Sequence, residues 1–162
     1  MKNKKTGFTL IELLAVVLII AIMTSIAVPQ YRRSVQRAET IEAMSNLKTL
    51  FDSARRYRSA YSQTPTMLNG LDVTFFDATD HNSTTFKVGK FQYKFTGSYI
   101  SACRLNSEGN ATGTYCLKMF YEHESKGKDA LICEFSEQGK YSWLCPTLGK
   151  KDISADLYTI EG

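Results

Sequence analysis

The sequence predicts an α+β fold: a long N-terminal α-helix, apolar in its first half and amphipathic in its second, packed on a C-terminal antiparallel β-sheet of about four strands. Three observations carry this expectation. Residues 8–28 hold a single charge, Glu12, and neither Gly nor Pro, so nothing interrupts a helix over that run. Beyond it, apolar residues recur at steps of three and four, the period of a helix with one buried stripe. From residue 90 the pattern changes to short runs rich in aromatic and β-branched residues, separated by Gly- and Asn-containing turns, as strands are.

The first run, twenty-one residues, is about the length that crosses a bilayer core of roughly 30 Å. Glu12 is costly there, on the order of 2–3 kcal/mol near the middle of a span and less toward its end. Its partner must carry positive charge or donate hydrogen bonds. A cut between Gly7 and Phe8 would supply one, because it frees an α-amino group that stays cationic up to a pKa of roughly 7.7–8. Phe8 and Glu12 are i and i+4 neighbours and can pair within one helix. Between two copies of the chain, the same two groups would fix an axial offset. A plain single-span anchor explains the length of the run but leaves Glu12 without a role. A conventional secretory signal has an apolar core of about 7–15 residues, shorter than this one, although Ser25-Ile26-Ala27 imitates its cleavage site.

Pro29 follows the run. It lacks an N–H and its ring crowds the preceding turn, which predicts a bend or a local break. The stripe then runs through Val35, Ala38, Ile41, Met44, Leu47, Leu50, Phe51, Ala54, Tyr57 and Tyr61. On the other face Arg32, Arg33, Arg37, Lys48, Arg55, Arg56 and Arg58 outnumber Glu39, Glu42 and Asp52. That face reads as solvated, or as one that meets anionic headgroups or acidic surfaces of neighbouring subunits. A helix over residues 8–61 would be about 80 Å long, too long for a domain of about a hundred residues to cover. Its first half therefore needs other partners: lipid, and then copies of itself.

Residues 62–70 turn to Ser, Thr, Gln, Asn, Gly and Pro65, a helix stop and a loop. A weakly structured stretch continues from Leu71 to Thr85. Strand-like runs follow at 90–95, 98–105, 114–121, 130–135 and 141–144, read as an antiparallel meander with one face on the helix stripe. Turns fall at Gly97, Glu108-Gly109-Asn110, Ser125-Lys126-Gly127-Lys128 and Glu137-Gln138-Gly139. Phe91, Tyr93 and Phe95 alternate with polar residues, which marks a core-facing strand more than a platform for stacking nucleic-acid bases.

The length of 162 residues allows one domain plus an extension. The formal charge of +4 falls near +1 once Lys2, Lys4 and Lys5 are removed, leaving 17 basic against 16 acidic side chains, so charge gives no argument for a nucleic-acid partner. Four cysteines lie between residues 103 and 145, in a segment that an N-terminal membrane signal would place where disulfides persist. Two bridges are expected, and four cysteines allow three connectivities.

Nothing points to catalysis. His81 and His123 lie forty-two residues apart among polar neighbours, and no Ser, Cys or Lys has a base motif beside it. Residues 77–82 carry oxygen donors at short spacing but lack the order of an EF-hand, so neither a metal nor a cofactor is expected. Asn82-Ser83-Thr84 and Asn110-Ala111-Thr112 match the acceptor pattern for N-glycosylation.

A short basic leader ending in Gly7, then Phe8-Thr9-Leu10-Ile11-Glu12-Leu13-Leu14, then an apolar helix with Pro29, resembles the class III signal of type IV pilins and pseudopilins. The resemblance covers residues 1 to about 31 at motif level and the remainder loosely. It implies a pilin fold with a leader at 1–7, a long helix at 8–61 whose segment 8–28 is transmembrane, and a globular headpiece at 62–162. It further implies a cut at Gly7/Phe8 by prepilin peptidase, N-methylation of Phe8, an assembly charge pair between Glu12 and Phe8, and a helix kink at Pro29. The Cys133 to Cys145 segment resembles the disulfide-closed loop near the C-terminus of many pilins, which leaves Cys103 for Cys116.

The implied function is that of a non-enzymatic structural subunit of a type IV pilus filament. It would be held first in the inner membrane with its C-terminal domain periplasmic, then in an extracellular pilus or a periplasmic pseudopilus. The implied partners are copies of itself, prepilin peptidase and the assembly platform, with no nucleic acid for the bare subunit. The alternative is a type II secretion pseudopilin, or a minor pilin acting as an adhesion or DNA-binding module.

Overall fold

The computed structural model describes residues 8–75, 78, 83–111, 114–122, 129–135, 141–151 and 157–160. Helix α1 spans Leu10–Tyr61, and the chain divides into two compact units, Met1–Ala38 and Glu39–Gly162. Helix α1 continues unbroken through Pro29. Within the first unit the described residues form helix from Leu10 onward, and the large apolar side chains of residues 8–28 are all exposed.

The second unit is a helix-on-sheet layer. Helix α1 ends after Tyr61, where Ser62 takes a left-handed φ of 53° and donates its N–H to the Arg58 carbonyl at 2.9 Å, closing the last turn. Among the described residues seven strands form one antiparallel sheet: β1 (Thr85–Val88), β2 (Phe91–Phe95), β3 (Tyr99–Arg104), β4 (Tyr115–Phe120), β5 (Leu131–Phe135), β6 (Lys150–Lys151) and β7 (Leu157–Ile160). Their order is β1-β2-β3-β4-β5-β7-β6, so the chain meanders through five strands and then returns β7 beside β5. The sheet face toward α1 carries Phe86, Phe91, Tyr93, Phe95, Ile100, Ala102, Tyr115, Leu117, Met119 and Leu131, all buried with Ala43, Leu47, Leu50, Phe51 and Ala54 of the helix. Phe91, Tyr93 and Phe95 point into this core, and Tyr93 stacks on Phe86 with ring centroids 5.2 Å apart.

Three expectations need correction. The sheet exceeds four strands because β1, β6 and β7 join it; these are short or polar segments, and β1 begins at Thr85, the last residue of the stretch read as weakly structured. The run 141–144 is not a strand. It is a turn leading into a short helix, α2 (Leu144–Leu148), where Pro146 has no N–H to give a ladder but is tolerated in a first helical turn. The buried stripe of α1 runs through Leu47, Leu50, Phe51 and Ala54 as expected but differs at its ends: Thr40 and Ala43 are buried, while Ile41 and Tyr61 are exposed. The cause is Thr40, whose hydroxyl shares a 2.6 Å hydrogen bond with the Tyr115 hydroxyl in the core. With Thr40 facing the sheet, the next residue lies about 100° around the helix.

Both bridges join neighbouring elements. Cys103 pairs with Cys116 across β3 and β4, where the two residues are directly opposite, and Cys133 of β5 pairs with Cys145 of α2. Gly149 leads from α2 into β6. A Cβ there would collide with the Thr159 carbonyl oxygen, so only glycine lets the chain pass so close to β7.

Candidate functional site

The chemistry of the N-terminal segment centres on one turn. Thr9 precedes the first helical residue, Leu10, and its carbonyl accepts the Leu13 N–H at 3.2 Å. Glu12 Oε2 accepts the Thr9 backbone N–H at 2.8 Å and the Thr9 hydroxyl at 2.7 Å, while the Glu12 N–H donates to Thr9 Oγ1 at 3.4 Å. This is a reciprocal capping box, which satisfies two otherwise orphaned donors of a helix start. A carboxylate in a first turn also faces the positive end of the helix dipole. Glu12 is thus held by Thr9 of its own chain while the residues before Phe8 are still attached. Sequence reasoning assigned Glu12 a partner but overlooked Thr9, although the Thr-x-x-Glu spacing is the signature of this cap.

Around that turn the surface is uniformly apolar. Exposure of the large apolar side chains runs from 45% at Val28 to 84% at Leu10, so none of them is buried. Thr24 and Ser25 return their hydroxyls to the helix backbone, at Ile20 and Ile22 carbonyls 2.8 and 2.7 Å away, leaving no free polar group on those side chains. The helix is long and apolar enough to cross a membrane.

The folded unit uses its charges internally. Glu39 receives Lys90 Nζ at 2.6 Å and Arg104 Nη1 at 2.7 Å. Partial burial pushes the Glu39 carboxyl up, but the hydrogen bonds and charges of Lys90 and Arg104 outweigh it and hold the group below the usual carboxylate range. Arg104 is buried, lies over the Phe91 and Tyr141 rings, and leaves its Nε without a partner. Part of the basic helix face is likewise engaged. Arg55 meets Asp129 at 3.0 Å, Arg56 grips both oxygens of Asp72, and Arg58 sits 4.4 Å over the Tyr121 ring. Arg56 and Ser53 together draw the Asp72 carboxyl down to about 2. For these three arginines the face has neighbours of its own.

Several candidate residues fall outside the described set: Gly7, most of the oxygen-rich stretch 77–82 including His81 and Asn82, Thr112, His123, and the turns 125–128 and 137–139. Among the described residues no cluster of His, Cys, Asp or Glu could hold a metal.

The described residues thus combine an apolar, exposed helix start carrying one capped carboxylate with a disulfide-bonded α+β unit that follows it in sequence, the two-part plan of a membrane-anchored subunit. The family description for the prokaryotic N-terminal methylation motif matches residues 2–28. The fimbrial protein of Pseudomonas aeruginosa is 30% identical over 137 residues, covering 74% of this chain and 88% of that protein. The fimbrial protein of Moraxella nonliquefaciens is 29% identical over 135 residues, covering 80% of this chain and 74% of that protein. Type II secretion system core protein G of Aeromonas hydrophila is 31% identical over 72 residues, 44% of this chain and 50% of that protein. The chain belongs to the type IV pilin and pseudopilin family. Its function is of the pilin type, with precursor processing and filament assembly as the general mode of action.

Proposed function

We propose that the chain is the structural subunit of a type IV pilus filament, cut by prepilin peptidase between Gly7 and Phe8, methylated on Phe8, and polymerised through residues 8–28. The observation that carries this reading is the set of exposed apolar side chains around Glu12, which fit lipid before assembly and sister helices after it. Passing from one to the other exposes little apolar surface to water, so the exchange avoids most of the hydrophobic penalty. Glu12 then trades its Thr9 cap for the Phe8 amine of an adjacent subunit, a charge-assisted hydrogen bond in a low-dielectric setting. Pro29, with no N–H to give the preceding turn, is where α1 can bend during packing.

A pilus is favoured over a secretion pseudopilus by coverage, since the fimbrial relatives match 74% and 80% of the chain and the secretion protein 44%. The secretion reading is kept by that last match, and the length and location of the fibre separate the two. The test of the proposal is the mass and N-terminal residue of the protein in sheared fibres. An N-terminal methylated Phe8 is expected. Fibres whose subunits begin elsewhere would refute it, as would Gly7→Ser subunits that still reach the mature mass.

A further inference from the structure

The other three arginines of the basic helix face follow directly on the apolar run. From Leu13 to Ala38 the chain has no acidic residue, and its only cations there are Arg32, Arg33 and Arg37, all within nine residues of Val28. The three arginines are exposed, and Tyr31 beside them is 71% exposed. They stand on unbroken helix, since α1 continues through Pro29 and Ser34 returns its hydroxyl to the Gln30 carbonyl at 3.2 Å. At about 100° per residue, Tyr31, Arg32, Arg33 and Arg37 are spread over about two-thirds of the helix circumference. Sidedness does not account for this cluster. Cations before a span hold that end in the cytoplasm, and cations just after it work against the same orientation. Lys2, Lys4 and Lys5 before the run are matched three for three by the arginines after it. Once residues 1–7 are cut away, as proposed above, only the arginines remain, so their use comes after insertion.

Depth selects the partner. With residues 8–28 across the hydrocarbon core, Tyr31, Arg32 and Arg33 stand about 4.5–7.5 Å beyond Val28 at 1.5 Å per residue. That is the depth of one headgroup layer, about 5–7 Å. Arg37 stands about 13 Å beyond, but the Cα–Cβ bonds of a helix tilt toward its N-terminus, so each of these side chains leans back toward the bilayer. A long arginine stem can lie along apolar surface while its charged head stays at the headgroups. The guanidinium fork matches the oxygens of a phosphate, and a tyrosine just outside a span belongs at the same level. An acidic face of a neighbouring subunit would have to reach these groups through that layer.

We propose that Tyr31, Arg32, Arg33 and Arg37 form a collar that binds the phosphate groups of anionic phospholipids in the leaflet where the apolar run ends. The inference rests on the membrane-held subunit of the proposed function. In that state the collar fixes the depth of the helix, because sliding in either direction would draw the guanidinium groups away from the headgroup phosphates. The contacts are given up when the helix leaves lipid for the fibre, so they favour the waiting subunit over the assembled one. They are electrostatic and lie at a wetted surface, where salt screens them.

The test uses the full chain, purified from its own membranes and reconstituted in vesicles of phosphatidylcholine with an equal share of phosphatidylglycerol. The lipid that each subunit keeps through delipidation is counted by native mass spectrometry. The expected result is phosphatidylglycerol enriched over its share, with the enrichment falling as salt is raised. Arg32→Gln/Arg33→Gln/Arg37→Gln should lower the enrichment at least about fivefold, the ratio that corresponds to one surface cation's attraction for anionic lipid. Arg32→Lys/Arg33→Lys/Arg37→Lys should keep most of it. Lys48→Gln, on exposed helix about 30 Å beyond Val28, should leave it unchanged. Phosphatidylglycerol kept only at its bulk share by the parent chain would overturn the proposal, and so would an equal loss of enrichment in Lys48→Gln. Unchanged enrichment in the triple Gln variant together with a reduced fibre yield would also overturn it, and would assign the arginines to an acidic face of a neighbouring subunit. A chain that does not stay in the vesicles would refute the membrane-held reading as well, whereas a chain that stays and shows no enrichment would refute only the collar.

Discussion

Residues 10–28 and residues 40–54 belong to the same helix, and both carry apolar side chains at helical spacing, yet one set is exposed and the other buried. Val28 and Leu10 bracket exposures of 45% and 84%, whereas Leu47, Leu50, Phe51 and Ala54 are at 0%. Periodicity accounts for the difference. The second segment is apolar on one stripe and charged elsewhere, so a single sheet satisfies it. The first is apolar all round, so one partner on one side would leave most of it uncovered. Helix surface of this kind requires a surrounding medium, either lipid or several other helices. The charges follow the same division, since Glu39 finds Lys90 of the β1–β2 turn and Arg104 of β3 while Glu12, among the described residues, is held by the threonine at its own helix start.

Substitutions that exchange these two behaviours should separate them most. Phe51→Ala empties a fully buried site stacked on Tyr121 and should cost about 3–5 kcal/mol of unfolding free energy. Leu14→Ala, at 64% exposure, should change the same quantity by less than about 0.5 kcal/mol. Denaturant titration of both variants in detergent, followed through Trp143, makes the comparison. Equal losses would show that the first segment is buried by its own chain after all.

A smaller effect is expected at the helix's internal charge site. Glu39→Ala leaves Arg104 buried without its carboxylate, against the Tyr115 and Tyr141 side chains and the Phe91 ring, and such uncompensated charges cost about 3–5 kcal/mol when fully enclosed. Here the carboxylate is one-fifth exposed and Lys90 mostly so, which brings the expected loss nearer 2 kcal/mol. Glu39→Gln should retain part of the stability by still accepting a hydrogen bond.

The smallest effect is a pH dependence at Asp72. Its carboxyl is held at about 2 against an ordinary 3.8, so the folded state favours the ionised form. That contribution is complete above the ordinary value and disappears as pH falls from about 3.8 through about 2. The difference in unfolding midpoint between the parent and Asp72→Asn should therefore be constant near neutral pH and close over that window. A gap that persists below pH 2 would assign the effect to packing.

Much of this division was legible before any coordinates. The long uninterrupted run with its single acid, the amphipathic stripe, and the alternation of Phe91, Tyr93 and Phe95 are strong periodic signals over many residues. Strands β2 to β5 were readable for the same reason. What escaped was short or non-local. Strand β6 is two lysines, and its place beside β7 depends on Gly149 having no side chain. Tyr141 and Trp143 have strand-like composition, but Pro146 and the bridge at Cys145 belong to a helical turn. The burial of Thr40 at the start of the α1 stripe needs Tyr115, 75 residues away, to satisfy its hydroxyl. The Glu39 and Arg104 pair is separated by 65 residues and has no motif. Thr9 differs from these: its capping role was written in the local spacing and required no tertiary contact to be read.

The central claim is that residues 8–28 are a surface for sister helices with Glu12 as the one charge that sets their register. The most direct measurement is the yield of sheared fibres from cells carrying Glu12→Val, alongside the amount of processed subunit in their membranes. The account predicts inserted, processed subunit at normal level and fibre yield reduced at least about tenfold, as loss of a charge-assisted contact at every interface requires. Fibres at the parental yield from that variant would contradict it.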